Sequence, residues 1–177
     1  APERLLRNGV GEGRVKHEMA LEAAVVYDLC HERIVDLGRW DYVSHQVIAS
    51  PFKPIDYMDK IDVLAARYLT NTKITCKYLT VELKKDEAEK STINQILKYV
   101  DWVCTEYAYG DYEMIEACII AAGYEEGMDR YYREVVQRHY TQGSHPVRNK
   151  QWNDLKLLKY TCVDGEIVYE DVTPPLR

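Results

Sequence analysis

One α/β domain, a mixed central β-sheet flanked by helices, is the fold that this 177-residue sequence predicts. Helix-period and strand-period segments alternate along the chain, and no repeat or low-complexity linker divides it. The length also suits one domain with a substantial core.

The first helix is expected over residues 14–30, where Met19, Leu21, Ala24, Val25 and Leu29 recur near the 3.6-residue period. Gly11 and Gly13 precede it, and Gly38 follows a turn or short helix. Residues 41–50 read as a strand closed by Pro51 and Pro54. Strands are expected over 60–69 (KIDVLAARYL) and 76–84 (CKYLTVELK), joined by the polar loop 70–73. In the second of these, Tyr78, Thr80, Glu82 and Lys84 share one face, and Leu79, Val81 and Leu83 the other. Glu82 and Lys84 therefore stand side by side.

A long helix is expected over 86–108, entered at Ser91 or Thr92, with Ile93, Ile96, Leu97, Val100 and Val103 as its apolar stripe. Residues 113–122 form a strand between Gly110 and Gly123 whose apolar second half suits a central position. A polar helix over 126–140 and a loop over 141–149 come next. Strands over 155–162 and 166–172 close the chain as a hairpin across Asp164-Gly165, the best two-residue turn signal present. The domain core is thus expected over about 14–140, with 141–177 forming a loop and the C-terminal hairpin.

Apolar residues make up 46% and charged residues 29%, an ordinary globular composition. No apolar run reaches the length of about 18 residues needed for a transmembrane helix. Five scattered cysteines without CxxC or CxxH spacing argue against structural zinc, and read as buried free thiols of a cytoplasmic protein. Five histidines show no HxH or HExxH spacing. The formal charge of −6 weighs mildly against a broad nucleic-acid surface, although local basic patches can still serve. The chain opens on Ala1 without an initiator Met, which leaves open a fragment of a longer protein.

Metal-assisted phosphodiester cleavage needs oxygen ligands for a hard dication, a group near the attacking water, and charge relief for the phosphate. Asp62 and Glu82 stand on neighbouring candidate strands, each at a boundary between apolar and polar sequence. Lys84, one strand period beyond Glu82, could hold the water or offset charge developing on phosphate. Two buried carboxylates repel, and a dication between them removes that cost.

The stretch KIDVLAARY…KYLTVELKKDEAEKSTINQILKYVDWV resembles the core of the PD-(D/E)XK nucleases, a restriction-endonuclease-like superfamily. Asp62 followed by Glu82-Leu83-Lys84 matches its central pattern, and Gln95 to Tyr99 matches the Gln-x-x-x-Tyr element of RecB-type members. Residues 15–122 follow the element order of the C-terminal nuclease domain of NucS/EndoMS-type mismatch endonucleases. Ile61 replaces the nominal Pro, and Lys60 stands where Gly often precedes the Asp.

The resemblance implies a Mg²⁺- or Mn²⁺-dependent endonuclease acting on nucleic acid, DNA in the first place. It implies Asp62, Glu82 and the Leu83 carbonyl as metal ligands, Lys84 at the attacking water, and Gln95 as an orienting group. A helical Glu near the metal through water is assigned to Glu22, with Glu18 as its rival. Tyr99, Lys85 and Lys98 are candidate nucleic-acid contacts, although the Tyr99 ring better suits packing against the sheet with its hydroxyl at the site rim. Lys84, Lys85 and Lys90 with Lys98, and separately Arg130, Arg133, Arg138, Arg148 and Lys150, are candidate phosphate contacts; a solvated basic face competes with both sets and is slightly preferred for the second. A homodimer or a separate recognition domain could supply specificity. The competing reading is an inactive nucleic-acid-binding or protein-interaction module that retains the nuclease fold.

Overall fold

The computed structural model describes residues 10–11, 13–49 and 59–176. Ser50, Pro51 and Pro54, expected to close a strand, lie outside them. The described chain runs β1 (Val10–Gly11), β2 (Arg14–Val15), α1 (Glu18–Cys30), a 3₁₀ turn (Val35–Leu37), β3 (Tyr42–Ile48), β4 (Lys60–Tyr68) and β5 (Thr75–Ala88). There follow α2 (Lys90–Glu106), a 3₁₀ turn (Tyr112–Met114), β6 (Ile115–Tyr124), α3 (Met128–Val135), β7 (Arg138–Gln142), β8 (Arg148–Trp152), β9 (Leu155–Val163) and β10 (Glu166–Asp171).

Six strands form one sheet in the order β10-β9-β6-β5-β4-β3. The outer pairs are antiparallel, whereas β5, β6 and β9 run parallel, so the sheet is mixed as the sequence predicts. Parallel neighbours need a crossover, and α2 supplies it between β5 and β6. One sheet face, including Leu79, Val81 and Leu83 of β5, packs on Leu21, Ala24, Val25 and Leu29 of α1. The other, including Ile61, Ala117, Ile119 and Leu157, packs on Ile93, Ile96, Val100 and Val103 of α2 and on Met128 and Tyr132 of α3. Each fully buried Leu, Ile or Val contributes about 1.5–3 kcal/mol, so three layers follow from apolar alternation on both sheet faces.

Several expectations need correction. The first helix starts at Glu18, not 14, because Arg14–Val15 pairs with Val10–Gly11. Gly13, at φ 75°, makes the turn between them, and its carbonyl accepts from the Cys162 N–H at 2.9 Å. The strand expected over 76–84 runs on to Ala88 along β6, with a register shift between Lys84 and Glu87. The next helix therefore begins at Lys90, where Glu125 accepts both the Lys90 backbone N–H at 2.9 Å and its ammonium at 2.6 Å.

The helix expected over 126–140 stops at Val135, and 138–142 is a strand. Its partner β8 occupies part of the expected loop 141–149. Side chains decide this: the Arg138 guanidinium binds Asp101, and Trp152 is buried with its indole N–H donating to the Ile115 carbonyl at 2.7 Å. The closing hairpin joins the main sheet, since β9 pairs in parallel with β6.

Candidate active site

The β4–β5 ladder runs from Tyr68↔Thr75 to Val63↔Val81 and goes no further, so the two strands part at Asp62. The Leu83 N–H, left without a strand partner there, donates to Asp62 Oδ2 at 2.8 Å. The N–H and C=O of a strand residue leave by the same edge, so the Leu83 carbonyl faces the same gap. Glu82 follows the period of two onto the α2 side of β5, where it is 1% exposed. The Lys84 ammonium donates to Glu82 Oε1 at 2.8 Å. Asp62 of β4 thus lies in one place with Glu82 and Lys84 of β5.

Glu22 reaches this gap from α1. Its Oε1 meets His45 Nδ1 at 2.6 Å, and its Oε2 accepts from the Gln46 amide at 2.8 Å. The same amide nitrogen lies 3.4 Å from Asp62 Oδ1. Neither His45 nor Gln46 was singled out from the sequence. On the far wall, the Gln95 amide donates to the Tyr99 hydroxyl at 2.9 Å across one turn of α2. The Tyr99 ring is in the core, 4% exposed, leaving only its hydroxyl near the carboxylates.

Charge is crowded here. Burial and then the Asp62 charge lift the Glu82 carboxyl to about 7, with Lys84 offsetting only part of the rise. Burial also lifts Asp62, against the Leu83 N–H and Lys84, and Glu18 and Glu22 add to the rise. Burial pulls Lys84 down, but the hydrogen bond and charge of Glu82 outweigh it and hold the ammonium above its usual range. Burial first, then the fields of Glu82, Asp59 and Asp62, push the Tyr99 phenol up to about 12 against the Gln95 hydrogen bond. Glu18 acts on Asp62, Glu82 and Lys84 together, so the rival of Glu22 is also part of this field.

A hard dication fits these residues. Glu82 Oε2 is buried without a hydrogen-bond partner, and a metal ion is one way to satisfy such an atom. Among the described residues no three His, Cys, Asp or Glu side chains form a metal-binding group. Two carboxylates and a carbonyl would be a partial oxygen set, of the kind that suits an ion retaining several waters.

The basic residues are mostly engaged. Lys85 pairs with Asp86 at 2.5 Å, Lys90 with Glu125 at 2.6 Å, Arg133 with Asp129 at 3.2 Å and Lys150 with Glu113 at 2.5 Å. Lys98 and Arg148 are exposed.

No family model matches the chain, and no curated protein does. Among solved structures, it is similar to a repair endonuclease from Pyrococcus abyssi, with a TM-score of 0.44 and 19% identity over 64% of this chain and 43% of that one. It is also similar to a chain in the structure of an EndoMS–dsDNA complex, with a TM-score of 0.39 and 18% identity over 66% of this chain and 39% of that one. The chain spans less than half the length of either.

Proposed function

We propose that this chain is a divalent-metal-dependent nuclease domain that hydrolyses phosphodiester bonds in nucleic acid, DNA in the first place. The observation that carries the reading is the meeting of Asp62, Glu82 and Lys84 where β4 and β5 part, with Glu82 Oε2 buried and unpartnered. Asp62, Glu82 and the Leu83 carbonyl would hold Mg²⁺ or Mn²⁺, with Glu22 reaching it through water. Bound there, the ion would acidify a water and neutralise phosphate charge.

The remaining parts follow from the side chains. Lys84, its side chain 30% exposed, presents an ammonium beside the ligand Glu82, so it can hold the attacking water by donation while keeping its own protons. Gln95 fixes the Tyr99 hydroxyl at the site wall and orients that wall toward the phosphate. Lys85 and Lys98 lie outside this cluster and would contact the nucleic-acid backbone. Substrate choice would come from a recognition domain beyond this chain or from a second copy of it.

The test is cleavage of plasmid and oligonucleotide DNA and RNA with Mg²⁺ or Mn²⁺. Activity should require metal and vanish in Asp62→Ala, Glu82→Ala and Lys84→Ala, each checked for retained folding by circular dichroism. Inertness of the parent on every substrate, in several metals and at high protein concentration, would rule the reading out in favour of a non-catalytic module.

A further inference from the structure

We propose that Gln46 is a positioning residue that holds Glu22 and Asp62 in register for the dication, an inference resting on the metal-site reading above. The backbone supplies the first observation. In the β3–β4 ladder His45 faces Val63 and Val47 faces Ile61, so Gln46 and Asp62 stand opposite each other, yet they are the one position skipped between those pairs. Gln46 leaves the extended region there, at φ 52°, in left-handed space that an L residue with a long side chain enters at a cost. Glycine would adopt that φ freely. A glutamine persists in such a conformation when its surroundings over-determine it, and strained positions of this kind gather at functional sites.

The side chain supplies the second observation. Nε2 carries two N–H groups, and two carboxylate oxygens stand within reach of it: Glu22 Oε2 at 2.8 Å and Asp62 Oδ1 at 3.4 Å. One amide from β3 thus bridges an acid on α1 and an acid on β4. The other oxygen of each acid is also occupied, Asp62 Oδ2 by the Leu83 N–H and Glu22 Oε1 by His45 Nδ1. The two carboxylates are therefore oriented as a unit.

The chemistry explains the choice of an amide. Two anions facing one opening repel, and a lysine or arginine between them would relieve that by competing with the dication for the same oxygens. A neutral donor orients both carboxylates and adds no charge. Groups that orient ligands in this way typically change metal affinity by about 10–100-fold when removed.

The experiment is calorimetric titration of the whole chain with Mn²⁺ alone, comparing the parent with Gln46→Gly, Gln46→Asn and Glu82→Ala. Gly and Asn both accept the left-handed backbone, but neither can bridge the acids. Each should fold with a melting temperature equal to or above the parent's and bind Mn²⁺ roughly tenfold or more weakly. Parent-like affinity in both variants would overturn the inference and leave the metal site standing. Should either variant fail to fold, the other decides. A parent that binds no Mn²⁺, or binds it unchanged in Glu82→Ala, would overturn the metal-site reading and this inference with it.

Discussion

Glu82 is held where a carboxylate is least at ease: it is 1% exposed, bonded to Lys84 through one oxygen and to nothing through the other, with the Asp62 charge adding to the burden. A folded protein keeps such a group only if something else rewards it, and ligand binding is the usual reason. Glu82→Gln removes the buried charge at little change in shape. The variant should melt no lower than the parent in metal-free buffer, while DNA cleavage falls roughly 10²-fold or more, the scale of losing a preorganised active-site charge. Asp28 gives a second titration. Burial lifts its carboxyl above the usual range, against a 2.8 Å hydrogen bond from Tyr169 and the charge of Arg33. A raised folded pKa means that the folded state binds the proton more tightly, so the contribution of Asp28 is greatest below the unfolded value and is lost as pH rises through the folded one. Urea melts from pH 3 to 7 should show the parent losing stability relative to Asp28→Asn, and parallel curves would refute this. The strand period alone set Glu82 beside Lys84 in the sequence, whereas Asp62 was joined to them only through the resemblance to a nuclease pattern. Gln46 was not legible, because its place depends on a left-handed backbone and on its position opposite Asp62 in the β3–β4 register, and neither leaves a mark in the order of residues.

Elements with a strong apolar period were legible, and those defined by polar side chains were not. The strands β4, β5, β6 and β9 announce themselves through alternating or continuous Val, Ile and Leu, and α2 through its stripe from Ile93 to Val103. The segment after Val135 carries Arg, His, Tyr, Thr and Gln, which suit an exposed helix as well as an exposed strand, so local propensity could not choose. Tertiary anchors chose: Arg138 on Asp101 and its ladder partner Trp152 on the Ile115 carbonyl of β6, both at the same end of the β7–β8 ribbon. A two-stranded ribbon is marginal by itself and depends on such packing. Trp152→Ala should therefore destabilise the protein by about 3–5 kcal/mol in urea unfolding, the range for losing a large buried aromatic. Hydrogen exchange should speed up first in 138–152 while the amides of β4 and β5 stay protected. Uniform acceleration throughout the sheet would mean that the ribbon is not a separate unit of stability.

At the scale of the whole molecule, the parting of β4 and β5 brings groups from α1, β3, β4 and β5 together, so whatever binds there is coupled to the stability of the whole fold. A ligand that binds the folded chain and not the unfolded one stabilises it by RT ln(1 + [L]/Kd), about 2.7 kcal/mol at a hundredfold excess over Kd. For a domain of this size that corresponds to a rise in Tm of about 5–11 °C, at roughly 2–4 °C per kcal/mol. Thermal melts in Mn²⁺ and in chelator should show this shift in the parent and lose it in Glu82→Ala and Asp62→Ala. The informative contrast is Lys84→Ala. As a ligand Lys84 would be needed for the shift, but as a donor to water beside a ligand it repels the incoming dication, and its removal should leave the shift equal or larger while cleavage disappears. Equal loss of the thermal shift in all three variants would mean that Lys84 holds the fold of the site together rather than acting on the bound water.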